Sequence, residues 1–279
     1  MSHLRLVGRS SARTALATAL VAGVVAGCGG IGPGATTNPT HSLPRTAAPA
    51  PNSTPPAQDM MKRAPFAPLA PGTYFIDPDG DPSTSLRVLY EVPAEGWSMW
   101  IGAARFADQG TACSAGGCAG NPSHVGVSIT TVPNLVRDGC RDHAWADPPV
   151  GPSVDDLAGA LADLAPFQVT SPSRDVTVDG YNGKHLEWIV PDLPVEGAGD
   201  DLRFTGCVDG NLKSWVAFID TAEPGDAFYG YSGPGYGEEF WILDVEGTRL
   251  MIAAERSPGS PPEDLAELRA IVESIQIEP

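Results

Sequence analysis

The densest group of reactive side chains in this sequence lies between positions 138 and 147: Asp138, Cys140, Arg141, Asp142, His143 and Asp147. A carboxylate beside an imidazole is the pairing that moves protons near neutral pH or holds a divalent metal. His143 with Asp142 or Asp147 is therefore the candidate for a hydrolytic or metal-dependent centre. The same run also reads as a solvated polar segment clipped by a disulfide at Cys140, and this second reading needs no special geometry. Ser128 follows Gly126-Val127 as in a nucleophile elbow, but Ile129-Thr130 stands where the second glycine is required. Asp77-Pro78-Asp79-Gly80-Asp81 carries calcium-type ligands at alternate positions. Counted from Asp77, however, Pro82 and Val88 occupy the places that need Gly and a bidentate Glu, so a Pro/Asp/Gly turn is the better reading. No Ser-x-x-Lys, His-Glu-x-x-His or phosphate-cradling Gly-x-x-x-x-Gly-Lys run occurs. The sequence thus assigns no catalytic residue, metal or cofactor.

Binding chemistry is better represented than catalysis. Phe228, Tyr229, Tyr231, Tyr236, Phe240 and Trp241 alternate with Gly230, Gly233, Gly235 and Gly237. Rings on a flexible frame stack on sugars, lipids or peptides, each offering apolar area and, in Tyr and Trp, a polar tip. Tyr229, Tyr231, Tyr236 and Trp241 are the candidate binding loop, and the competing reading is a hairpin that folds its rings onto the domain edge. His185 and Glu187 alternate with Leu186, Trp188 and Val190, which predicts a strand with the two polar groups on its wet face.

These residues need a scaffold, and residues 72–279 are long enough for one domain with its own core. Strands are predicted at 86–92, 97–106, 125–132, 174–178, 184–190, 212–219, 239–245 and 248–254 from β-branched and aromatic runs bounded by turn residues. Asp179-Gly180-Tyr181-Asn182-Gly183 and Glu246-Gly247 supply turns. One helix starts at Ser153, with Asp156 three residues on and Leu157, Leu161 and Leu164 at helical spacing; Pro166 ends it. A second follows Ser260 as cap and Pro261 in the first turn, with Leu265, Leu268, Ile271, Val272 and Ile275 as its apolar stripe. The predicted class is α+β, a mainly antiparallel sheet flanked by helices.

Charge and cysteine usage narrow the setting. The chain carries a formal net charge of −17 and only three lysines, Lys62, Lys184 and Lys213. Such a surface repels nucleic acid, whose binding requires neutralised phosphates, and equally repels anionic lipid. Apart from Cys28, four cysteines remain, an even number that implies disulfides in an exported protein. Of the three pairings, Cys113–Cys118 with Cys140–Cys207 is favoured. The first pair brackets a tight Ser-Ala-Gly-Gly turn, and the second closes a long loop. Zinc is disfavoured by the wide and uneven spacing.

The N-terminus says where such a domain would work. Arg5, Arg9 and Arg13 precede an apolar run of 12 residues, Ala15 to Ala26, too short to cross a bilayer and suited to a secretory leader. Val25-Ala26-Gly27-Cys28 then resembles the lipobox of bacterial lipoproteins. That resemblance implies cleavage after residue 27, lipid on the Cys28 thiol and stable anchoring by two or more acyl chains. Loss of the three leader arginines takes the charge from −17 to −20, because every acidic residue follows Cys28. Residues 29–71 hold ten prolines among 43 residues and predict a disordered tether. It would reach about 130 Å if fully extended and nearer 40 Å as a coil. Within it, residues 65–69 carry the apolar surface to pack on the domain.

Four fragments extend the resemblance: Val92-Pro93-Ala94-Glu95-Gly96-Trp97, residues 176–183, Trp241-Ile242-Leu243-Asp244-Val245-Glu246-Gly247 and Glu273-Ser274-Ile275. Together they resemble exported actinobacterial lipoproteins and, more distantly, the PsbP-like α/β/α sandwich of LpqN-type lipoproteins. The resemblance covers about residues 72–279. It rests on turn glycines and core apolars, and implies a fold and no catalytic residues. The chain departs from the pattern in its Cys113–Cys118 insertion and its Gly/Tyr loop. The expectation is a non-enzymatic binding or interaction module on the outer face of the cytoplasmic membrane, facing the cell wall. It would be held there by lipid on Cys28, with an envelope ligand or partner protein. The alternatives are an envelope hydrolase or metal enzyme centred on His143, or an accessory protein of envelope assembly or sensing.

Overall fold

The computed structural model describes residues 56–81, 83–106, 124–197, 202–217 and 228–279. Cys28, its leader and the Cys113–Cys118 pair lie outside the described residues.

The described chain begins earlier than residue 72. β1 (Gln58–Asp59), a 3-10 turn (Met60–Lys62) and β2 (Pro68–Leu69) precede β3 (Gly72–Ile76). Met60 and Leu69 are buried, and the Asp59 side chain caps the turn by accepting from the Met61 N–H. The last residues assigned to the tether are therefore pinned to the domain by two apolar anchors. β4 (Arg87–Val92) alternates outward Arg87, Leu89 and Glu91 with inward Val88, Tyr90 and Val92, the period-2 pattern of a half-buried strand.

The predicted single strand over 97–106 is instead a hairpin of β5 (Trp97–Trp100) and β6 (Gly102–Phe106), paired Ser98↔Ala104 and Trp100↔Gly102. Gly102 makes the break. Its φ is +145°, and a Cβ there would stand 2.2 Å from the Val127 carbonyl oxygen, so only glycine lets the chain fold back so close to its neighbour. β7 (His124–Thr131), β8 (Val136–Asp138) and β9 (Asp142–Trp145) follow.

α1 (Val154–Ala162) is closed by a full capping box: Ser153 Oγ accepts from the Asp156 N–H, and the Asp156 carboxylate accepts from the Ser153 N–H. β10 (Gln168–Val178) begins earlier than predicted, and β11 (Tyr181–Ile189) does so because the turn before it needs only Asp179 and Gly180, both at positive φ. β12 (Val195–Glu196), β13 (Arg203–Phe204), β14 (Lys213–Val216) and β15 (Phe228–Gly230) are short. β16 (Gly237–Val245) and β17 (Thr248–Arg256) form the hairpin expected around Glu246-Gly247. α2 (Pro262–Glu273) has Pro261 at its N-cap, and Ser260 does not cap it. The Ser260 hydroxyl donates instead to the carbonyls of Ser257 and His124. The unpredicted β18 (Gln276–Glu278) ends the chain against β4.

Eight strands form the main sheet in the order β10-β11-β16-β17-β7-β6-β5-β2, every neighbour antiparallel. A second sheet runs β1-β3-β4-β18. The class is α+β with the sheet dominant. Two apolar cores result. One gathers Leu157 and Leu161 of α1 with Trp188, Trp215, Phe240 and Met251. The other gathers Leu268 and Ile271 of α2 with Val127, Ile129, Ile252 and the β3–β4 residues Tyr74 and Tyr90. Arg105 fixes α2. It pairs with Asp264 and Glu267 at 2.6 Å each, and lies 5.0 Å over the Trp97 ring. In the first core Cys140 and Cys207 stand at disulfide distance, 2.09 Å between sulfurs.

Candidate functional site

Antiparallel pairing of β16 with β17 sets Glu238 directly opposite Glu255. Both are fully buried, which is costly for a carboxylate unless donors or a proton accompany it. Donors accompany Glu238. It accepts from Trp188 Nε1 at 2.8 Å, from Trp215 Nε1 at 3.4 Å and, in a very short contact, from the Tyr231 hydroxyl. Burial still pushes its pKa up to about 7, with these three donors pulling the other way. Ser214 Oγ lies 2.7 Å from the Tyr231 hydroxyl and extends the chain of polar contacts.

Glu255 is served less well. The Tyr236 hydroxyl donates to its Oε2 at 3.1 Å, while Oε1 faces His124 Nε2 across 3.5 Å. Neither of those two atoms has a hydrogen-bond partner among the described residues. Burial raises the Glu255 carboxyl to about 8 and depresses the His124 imidazole to about 4. Both shifts favour the neutral forms, a carboxylic acid beside an imidazole. The Tyr236 hydroxyl also meets His124 Nδ1 at 3.0 Å and Tyr229 Oη at 3.1 Å. Burial and the Glu238 charge hold the Tyr231 and Tyr236 phenols well above 10. Chemically this is a buried network of carboxyl, phenol, hydroxyl and imidazole groups that share hydrogen bonds.

The rings of the predicted binding loop are turned largely inward. Tyr231 and Tyr236 are 8% and 2% exposed, and Tyr229 stacks on Trp215 at 4.5 Å. The rings turn inward because two buried carboxyls in the adjoining strands require their hydroxyls. Trp241 lies on the opposite face of β16, its ring 5.1 Å from that of His185. The four candidates therefore do not form one surface. Glu238 and Glu255 went unread in the sequence; two glutamates placed where alternation demands apolar residues were the available signal.

His185 corrects a second expectation. It is fully buried, not on a wet face; its Nε2 bonds Glu239 Oε1 at 2.6 Å. With Glu187 these residues form a trio whose ligand atoms lie within 4.8 Å of one another. His143 contacts the Gly139 carbonyl through Nε2 at 3.0 Å, and Asp142 is engaged by Arg137 at 2.7 Å and by the Ala144 N–H. Each is committed to holding the β8–β9 turn, and no His–Asp hydrogen bond joins them among the described residues. Asp77 to Asp81 form the predicted turn, with Gly80 N–H on the Asp77 carbonyl.

An open groove of about 360 Å³ runs between the start of α1 and the β10–β11 and β16–β17 hairpins, lined by Ser153, Asp155, Asp175, Lys184, Asp244 and Arg249 among others. Lys184 bridges Asp155 and Asp175 at 3.0 and 2.7 Å. Arg249 donates to the carbonyls of Gly151, Ser153 and Val132.

No protein-family model matches the chain, and no curated protein does. Among solved structures, the crystal structure of LpqN involved in cell envelope biogenesis of Mycobacterium tuberculosis is similar over 76% of this chain and 90% of that one. Identity is 11% and the TM-score 0.28, so the resemblance is distant.

Proposed function

We propose that this chain is a lipid-anchored protein of the cell envelope, on the outer face of the cytoplasmic membrane, whose folded domain is a binding module rather than a catalyst. The observation that carries the reading is Cys28, closing Val25-Ala26-Gly27-Cys28 directly after a basic and then apolar leader. A cysteine pair at disulfide distance fits the oxidising side of a membrane. The PsbP-like plan belongs to the same proposal, supported by the placement of α1 and α2 in two different cores of one antiparallel sheet.

With the tyrosines turned inward, the ligand site we assign is the groove at Lys184 and Arg249. Its carboxylates Asp155, Asp175 and Asp244, its cations Lys184 and Arg249 and the Asn182 amide suit a hydroxyl-rich ligand of the envelope, a glycan in chemical class, better than an apolar one. The decisive experiment follows the chain in a bacterial host fed a labelled fatty acid. Wild type takes the label and sediments with membranes after a carbonate wash, and Cys28→Ala loses both properties. An unlabelled wild-type chain, or a Cys28→Ala chain that still sediments, overturns the anchor. Lys184→Ala should weaken retention on immobilised cell-wall glycan by about tenfold; unchanged retention removes the groove from the proposal.

A further inference from the structure

We infer that His185, Glu187 and Glu239 form a binding site for a divalent transition-metal ion of the zinc or manganese class. The site lies on the face of the main sheet opposite the Glu238–Glu255 cluster. Strand register builds it: β11 and β16 pair Glu187 directly opposite Glu239, and His185 stands two residues along β11 on the same face. Like charges placed directly across a pair of strands repel, and a cation between them removes that repulsion. Among the described residues the register sets two cations near them, Arg174 opposite His185 and Arg256 opposite Gly237 on the same face of β16; no ion pair is formed by either with Glu187 or Glu239 among the described residues.

Burial and access also bear on an occupant. The His185 side chain is 1% exposed, and the ring nitrogen turned toward the carboxylates is Nε2, 2.6 Å from Glu239 Oε1; this is the nitrogen that would ligate an ion in place of that hydrogen bond. Glu239 is 32% exposed, so an ion has a way in from solvent. One atom from each residue, all within 4.8 Å of one another, can surround a single ion at about 2.1 Å with a small inward adjustment. One imidazole and two carboxylates with an open solvent side suit zinc or manganese. Calcium and magnesium prefer shells made of oxygen alone.

Titration of the purified full chain by calorimetry with zinc chloride, repeated with manganese chloride, tests the site. The expected result is one ion per chain, with Glu187→Gln and Glu239→Gln each lowering affinity by at least about tenfold. His143→Ala, remote from the trio, should leave affinity unchanged. Both glutamates are partly exposed, so their glutamine variants keep the fold, which a thermal melt verifies. His185→Asn is the stricter variant and should abolish binding. The inference is overturned if neither metal binds at millimolar concentration, or if the two glutamine variants bind as wild type does. It is also overturned if calcium or magnesium competes as well as zinc.

Discussion

Glu238 and Glu239 are neighbours in β16 and face opposite ways, and their surroundings differ in kind. Glu238 is dry and ringed by Trp188, Trp215 and Tyr231, so its charge or its proton is provided for within the fold. Glu239 is partly open, opposed by another glutamate and bonded to one imidazole. The first arrangement is complete and serves stability; the second sets two carboxylates and an imidazole together at a solvent-reachable position and is the proposed binding site. Two acidic residues in sequence do not reveal that difference, because it depends on which donors other strands bring to each face.

The largest expected effect tests whether the two faces are independent. Replacing Cys140 and Cys207 together by serine releases a link spanning 67 residues and should cost about 4 kcal/mol in urea denaturation. The bond sits in the core of Glu238, so zinc affinity at the trio should not move. A parallel loss of affinity would show the faces to be coupled.

Glu238→Ala should cost about 3 kcal/mol, because two indole N–H groups and a phenol lose their acceptor in a dry core. Glu238→Gln keeps an acceptor and should cost about 1 kcal/mol. Equal losses for the two would mean that packing rather than hydrogen bonding holds the cluster.

Stability should also fall between pH 6.5 and 8, by about 2 kcal/mol. Folded Glu238 and Glu255 keep their protons up to about 7 and 8, whereas the unfolded groups lose theirs near 4.5. The folded state binds more protons over that interval, so rising pH opposes folding. Below 6.5 His124 acts in the other direction, since the unfolded imidazole takes a proton that the folded one refuses until about 4. Thermal melts across this range check the slope, and Glu255→Gln should flatten its upper part.

The smallest effect belongs to the open side. Glu187→Gln in the metal-free chain should change stability by under about 1 kcal/mol, and toward greater stability, since it removes a cross-strand repulsion. A destabilisation of several kcal/mol would place Glu187 in the same structural class as Glu238.

Much of the scaffold was legible locally. Ser153 with Asp156 marked the start of α1, and Asp179-Gly180 and Glu246-Gly247 marked two hairpins, because caps and tight turns are set by residues within a few positions of each other. The break at Gly102 was not legible, since its cause is the Val127 carbonyl on another strand. Nor was the true role of Tyr231 and Tyr236: a Gly/Tyr run has the same composition whether its rings face solvent or bond a buried acid.

The sequence by itself determined the acidic composition, several turn positions and the class of the fold, and it motivates the proposed leader and Cys28 anchor, all of which follow from composition and short-range preference. Only the tertiary structure decided which carboxylates meet. Glu238 opposite Glu255, and Glu187 opposite Glu239 beside His185, are products of strand register. Register is fixed by burying one face of the whole sheet at once, since a slip of one residue would exchange the two faces of every strand.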